Sequence, residues 1–304
     1  MQPRSPSLTA RRAAALRAAH QTLDHGRLFR DPLAVRLLGA DADELLGDLD
    51  ATRTAPERRG IRLFVAARSR FAEDNLAAAV ARGVRQLVVL GAGLDTFAYR
   101  NPHEATGLAV FEVDHPATQE WKRERLAGAG IPLPPSLAFA PVDFERESLG
   151  EGLAAAGFDP ARPAFFSWLG VVPYLTREAV FGTLGYLAGL PGGAEVVFDY
   201  SEPPSAMTPR ARAAHRARAA HVASLGEPFL SYFAPEELAA DLRRTGFAAL
   251  EDLDAVRLLA RYAHEHTDEH TDEHTDEHTD RPPGERPRRS TAHVLRAATR
   301  PRSQ

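Results

Sequence analysis

Short, unbroken apolar runs alternate with helix-length segments along most of this chain, and that alternation narrows its possible folds more than any other feature. "QLVVL" (86–90), "LAVFEVD" (108–114), "LAFAPVDF" (137–144), "PAFFSWLGVV" (163–172) and "AEVVFDY" (194–200) read as five strands. Runs without polar interruption suit strands buried on both faces. Between them lie an amphipathic stretch over 61–83 closed by Gly83, a helix opened by Pro116, a helix over 178–190 and another over 235–247. "AALEDL" (248–253) and "STAHVLRAA" (290–298) complete a set of seven strands. Strands separated by helices imply an α/β fold with a doubly wound, Rossmann-like, mostly parallel sheet. Its ligand then lies outside the carboxyl ends of the central strands, where Gly91, Asp114 and Asp143 fall.

The ends of the chain depart from this pattern. Residues 8–47 are helical in period but broken at "RDPLAVRLLG", where Pro32, after Asp31, is expected at a first helical position. The first 23 residues hold arginines and no acid. That fits an Ala/Arg-rich helix better than a transit peptide, and a cytoplasmic protein is expected. Residues 265–280 repeat Glu-His-Thr-Asp four times and run into "RPPGERPRR". His266, His270, His274 and His278 recur at helical spacing and could hold a divalent metal. The repeat reads better as a polar, solvated insertion between the last two strands, with no metal. A net charge of −4 gives no electrostatic footprint for nucleic acid or a membrane surface. The absence of cysteine excludes thiolate chemistry.

The first strand ends in "LGAGLD", a glycine turn. A dinucleotide site needs a third glycine and a helix N-terminus free to attract pyrophosphate. Here Thr96 stands at the third glycine position, and Asp95 puts a carboxylate in the turn. An acid there opposes a pyrophosphate and suits a cation, such as the sulfonium and ammonium of S-adenosyl-L-methionine. Asp114, ending the second strand, fits a ribose-diol acceptor in either class. An NAD-dependent oxidoreductase and a non-catalytic cofactor-binding sensor remain the rival readings.

"RLFRDPLAVRLLG", "AARSRFAEDNL", "LGAGLDTFAYR", "FEVDHP" with Lys122, "PVDFE" and "SWLGVVPYLT", in this order, resemble the leucine carboxyl methyltransferase-like family of class I methyltransferases. The likeness is closest to its bacterial, polyketide-associated branch and covers roughly 12–262 and 291–298. It implies one methyltransferase domain over 1–304: a helical cap (1–60), a cofactor-binding core (61–262), a low-complexity insertion (263–290), and a last strand and tail (291–304). It implies S-adenosyl-L-methionine as cofactor and assigns site residues. Arg68 would pair with the cofactor's carboxylate, Gly91 and Gly93 would admit the methionine moiety, and Asp95 would face its cationic end. Asp114 would take the ribose, and Asp143 and Phe144 the adenine. Many relatives carry a glutamate where this chain has Leu169, so Asp95 and backbone carbonyls are left for the ammonium. The expected reaction is O-methylation of a carboxylate or hydroxyl on a small molecule, by a monomer or homodimer acting on neither nucleic acid nor membrane. No base is assigned. Tyr174, Asp199 and Tyr200 lie near strand ends, and His115 lies in the loop beside the ribose. The N-terminal helices and residues 200–235 are expected to cover the site and choose the acceptor.

Overall fold

The computed structural model describes residues 8–39, 42, 56–142, 147–224, 226–263 and 290–300. The strands are β1 (Gln86–Leu90), β2 (Ala109–Asp114), β3 (Leu137–Pro141), β4 (Ala164–Trp168), β5 (Ala194–Ser201), β6 (Phe247–Asp254) and β7 (Ala292–Thr299). They form one seven-stranded sheet in the order β3-β2-β1-β4-β5-β7-β6. β1 to β5 pair in parallel, and β7 inserts antiparallel between β5 and β6. The order reverses between β1 and β4, which opens a crevice at their carboxyl ends. Every residue of β1 is buried, as are the first seven of β5.

Apolar layers cover both faces. On one, Val88, Phe111, Phe166 and Phe198 pack with Val180 and Leu184 of α6 (Arg177–Gly189) and Leu238 of α8 (Pro235–Thr245). On the other, Leu87, Val89 and Phe165 meet Phe71 and Leu76 of α3 (Pro56–Ala81), and Leu258 and Tyr262 of α9 (Ala255–Ala263). α3 begins upstream of the periodic stretch at 61, and Gly83 follows its last turn at φ +102°. The remaining helices are α4 (Pro116–Gly128), α5 (Leu149–Ala155) and α7 (Pro209–Ser224).

The N-terminal cap packs on the crevice. α1 (Leu8–Leu23) buries Ala14, Ala15, Ala18 and Ala19. These small side chains let it lie close against Leu37 and Leu38 of α2 (Ala34–Leu38) and against Leu94 of the glycine turn. Pro32 is not the first helical residue that the sequence suggests. Pro32 and Leu33 form a turn in which Ala34 N–H donates to Asp31 O, and α2 starts after it. Asp31 is fully buried for a different reason. Its carboxylate accepts from Thr96 Oγ1 at 2.7 Å and Arg17 Nε at 3.3 Å, tying the cap to the turn after β1. Arg17 also donates to Leu94 O at 2.5 Å.

Candidate functional site

The turn after β1 is shaped by hydrogen bonds to β2. Gly91 and Ala92 N–H both donate to Val113 O, so the chain leaves the sheet at once. Gly91 and Gly93 have φ of +66° and +46°, a region that L side chains rarely adopt. A Cβ on Gly91 would collide with Val171 Cγ2, and one on Gly93 would come within 2.9 Å of Ala10 Cβ. Asp114 holds the turn in place: Oδ2 accepts from Gly93 N–H at 2.6 Å and Oδ1 from His115 N–H at 2.7 Å. Burial raises its pKa, and those two N–H groups work against the rise. Thr118 also hydrogen-bonds the carboxylate, which keeps acceptor capacity for a ligand hydroxyl.

A cavity of about 370 Å³ lies over this turn at the carboxyl ends of β1 and β4. Arg68, Gly91, Gly93, Asp95 and Asp114 all line it. Residues 9–17 of α1 close one side, and Tyr174 and the segment 226–230 contribute another. Arg68 reaches it from α3, its Nη1 donating to Asp199 Oδ2 at 2.5 Å. The other Asp199 oxygen accepts from Gly170 N–H at 2.6 Å. Asp199 therefore orients the guanidinium and fixes the turn after β4. Arg68 Nε is buried with no protein partner. Asp95 Oδ1 accepts from Phe97 N–H at 2.8 Å, which leaves Oδ2 available to the cavity.

This donor set fits S-adenosyl-L-methionine. The guanidinium of Arg68 at the cavity wall suits the cofactor's carboxylate, Asp114 suits the ribose, and Asp95 suits a cationic centre. A dinucleotide fits poorly. Only a four-residue 3₁₀ turn (Phe97–Arg100) follows the glycine turn, so no long helix directs its N-terminus at a pyrophosphate. The N–H groups of Gly91, Ala92, Gly93 and Asp95 are already committed to Val113 O, Asp114 and Ala92 O.

Other candidates separate clearly. Asp143 and Phe144 lie outside the described residues, as does the whole Glu-His-Thr-Asp repeat with His266, His270, His274 and His278. Val142, the last described residue before Asp143, donates its N–H to Asp114 O. His115 caps α4, its Nδ1 accepting from Ala117 N–H at 3.2 Å, which is a structural task. Tyr200 is buried in the core with its hydroxyl on Asp252 Oδ2. Lys122 pairs in the interior with Glu112 at 2.7 Å, and burial pushes that carboxyl up to about 7 against the lysine's pull. Among the described residues no group of three or more histidines and acids could hold a metal ion.

Comparison with known proteins agrees with this geometry. The sequence pattern of the leucine carboxyl methyltransferase family matches residues 10–188. YktD of Bacillus subtilis (strain 168), provisionally named an S-adenosyl-L-methionine-dependent methyltransferase, is 33% identical over 276 residues, 83% of this chain and 90% of its own. In fold, the chain resembles a DUF574 family protein from Streptomyces avermitilis (TM-score 0.55, 17% identity, 97% and 98% of the two chains covered). A provisionally named methyltransferase from Thermobifida fusca is similar to the same degree (TM-score 0.55, 18% identity, 97% and 96%). The seven-stranded sheet with β7 reversed, the glycine turn, the cavity above it and these relatives converge on one assignment: the chain belongs to the leucine carboxyl methyltransferase family of class I, S-adenosyl-L-methionine-dependent methyltransferases.

Proposed function

We propose that the chain O-methylates a small molecule at a carboxylate or hydroxyl oxygen, a carboxylate being the better fit. The observation that carries this reading is Arg218 of α7. It is half buried, and its one hydrogen bond among the described residues goes to His215 Nδ1 at 3.2 Å. Burial lowers its pKa, Tyr174 raises it, and the charge of Arg12 lowers it further. Tyr174, which lines the cofactor cavity, packs on Phe229 at 5.2 Å, and Arg218 stands over the same ring. A half-buried cation with no carboxylate partner among the described residues, beside an aromatic rim, attracts an anionic acceptor.

Bound S-adenosyl-L-methionine supplies an electrophilic methyl group. The chain's task is to align the acceptor oxygen and exclude water, so positioning supplies most of the acceleration. A carboxylate acceptor needs no base. A hydroxyl acceptor needs one, and the neighbouring groups serve poorly. Burial raises the pKa of Tyr174, so it keeps its proton. Burial and Arg218 lower that of His215, so its ring is neutral near pH 7. Its Nδ1 takes the arginine N–H, leaving Nε2–H to donate to Tyr232 Oη at 2.9 Å. Neither group is therefore a competent base: the phenol keeps its proton, and both ring nitrogens of His215 are engaged.

A screen of carboxylic acids and phenols with labelled cofactor tests the proposal. Products cleaved by mild alkali are expected, as esters are and ethers are not. Arg218→Ala should raise KM for such an acid by roughly tenfold while changing kcat less, the signature of lost acceptor binding. Label appearing mainly in bulk RNA, with steep salt dependence, would refute the reading.

A further inference from the structure

Glu227 reaches the cofactor cavity from outside the loops of the sheet, and its position is fixed on both sides. Gly226, at φ +82°, follows α7, its N–H donating to Ala223 O while Glu227 N–H donates to Val222 O, the paired bonds of a Schellman turn. Beyond Pro228, Leu230 N–H donates to Pro173 O and Ser231 Oγ to Val172 O, which ties the segment to the turn after β4. The carboxylate accepts one hydrogen bond among the described residues, from Thr9 N–H of α1 to Oε2 at 2.9 Å. Oε1 has no protein donor there.

Of the other carboxylates around the cavity, two are more fully committed. Asp199 serves Arg68 and Gly170 N–H, and Asp114 serves the Gly93 and His115 N–H groups. Asp95 is engaged through one oxygen with Phe97 N–H. Leu169 lines the wall without a charge to offer. Tyr174 feels the positive charge of Arg68 together with the negative charges of Asp199 and Glu227, so Arg68 and Glu227 stand about one ring. An α-amino acid carries its carboxylate and its ammonium on the same carbon. Arg68 and Glu227 both line the cavity, so a ligand that places its carboxylate on Arg68 can turn its ammonium toward Glu227.

We propose that Glu227 binds the α-ammonium of the amino-acid moiety, completing with Arg68 a two-charge recognition of the zwitterion. The same carboxylate holds the first turn of α1, so the ammonium site and the helix that closes the cavity share one side chain. The proposal rests on the assignment of this cavity to S-adenosyl-L-methionine.

Titration of the full chain with S-adenosylhomocysteine and with 5′-methylthioadenosine, which lacks the amino-acid carbons, tests it. Wild type should bind S-adenosylhomocysteine more tightly. Glu227→Gln keeps an acceptor for Thr9 N–H but loses the charge. It should weaken S-adenosylhomocysteine by about tenfold, leave 5′-methylthioadenosine unchanged, and keep the wild-type melting temperature. Equal weakening of both ligands, or of neither, overturns the role of Glu227. A wild type that binds neither nucleoside overturns the cavity assignment itself.

Discussion

Asp114 shows how one side chain can be both scaffold and ligand group. It accepts backbone N–H groups from Gly93 and His115 while lining the cavity, so its substitution disturbs the turn as well as the ribose. Asp114→Asn turns an N–H donor toward one of those backbone N–H groups and removes the charge. The expected result is a loss of about 1–3 kcal/mol of stability together with affinity reduced by roughly one to two powers of ten. Unlike the Glu227 variant, it should weaken S-adenosylhomocysteine, 5′-methylthioadenosine and adenosine alike, since all three carry the ribose. Calorimetric titration of the three nucleosides checks this, and loss confined to S-adenosylhomocysteine would contradict it. The contrast also explains what could be read in advance. Gly91, Gly93 and Asp95 sit in one local turn whose chemistry can be deduced from its residues, and Arg68 and Asp114 follow from the ordered motifs around it. Glu227 belongs to no such pattern. Its link to the cap joins residues 218 positions apart, and only the folded chain brings them together.

The strands were legible as elements because a run buried on both faces has no polar residue to interrupt it, as in β1. α9 was not, although Asp254 Oδ1 caps it on Arg257 N–H at 2.8 Å and Leu258 and Tyr262 form its buried stripe. It follows β6 directly, with no glycine or proline to mark the change of period. α5 is equally hard to read, despite the capping box between Ser148 and Glu151, because it spans only seven residues. The antiparallel insertion of β7 between β5 and β6 was beyond local reading, because pairing partners so far apart leave no local trace. Between α9 and β7 lies the Glu-His-Thr-Asp repeat, whose polar sequence predicts no contribution to either neighbour. Deletion of residues 265–280 should change stability by no more than about 1 kcal/mol, the scale of a change in loop-closure entropy. S-adenosylhomocysteine affinity should stay at the wild-type value. Chemical denaturation and titration of the deletion variant measure both, and a lost cooperative transition would assign the repeat a structural role.

Across the whole molecule, the antiparallel half of the sheet is joined at a histidine set between two carboxylates. His293 of β7 lies between Asp252 of β6 at 2.9 Å from Nδ1 and Glu202, just beyond β5, at 3.0 Å from Nε2. Tyr200 of β5 stacks on the ring at 4.9 Å and donates its own hydroxyl to Asp252, while Glu236 of α8 adds a negative charge nearby. Both ring nitrogens face carboxylate acceptors, so both donate when the ring is protonated. Burial opposes that charge, but hydrogen bonds and charges from Asp252 and Glu202 outweigh it and raise the pKa above 6.5. A pKa raised by folding sets the direction of the pH dependence. The stabilisation is fully present below the unfolded value and is lost as pH rises through the folded one. Unfolding free energy should therefore fall as pH rises above the ordinary histidine value of 6.5 in wild type. In His293→Gln, which carries no titrating ring, that decline should disappear, leaving the variant less stable by about 1–3 kcal/mol at the acid end. Urea denaturation across this range gives both curves. Parallel curves would mean that the ring is neutral in the folded protein and that the strands are held by packing alone. Converging curves locate a proton between the two carboxylates, where β5, β6 and β7 meet on the far side of the sheet order from β1 and its glycine turn.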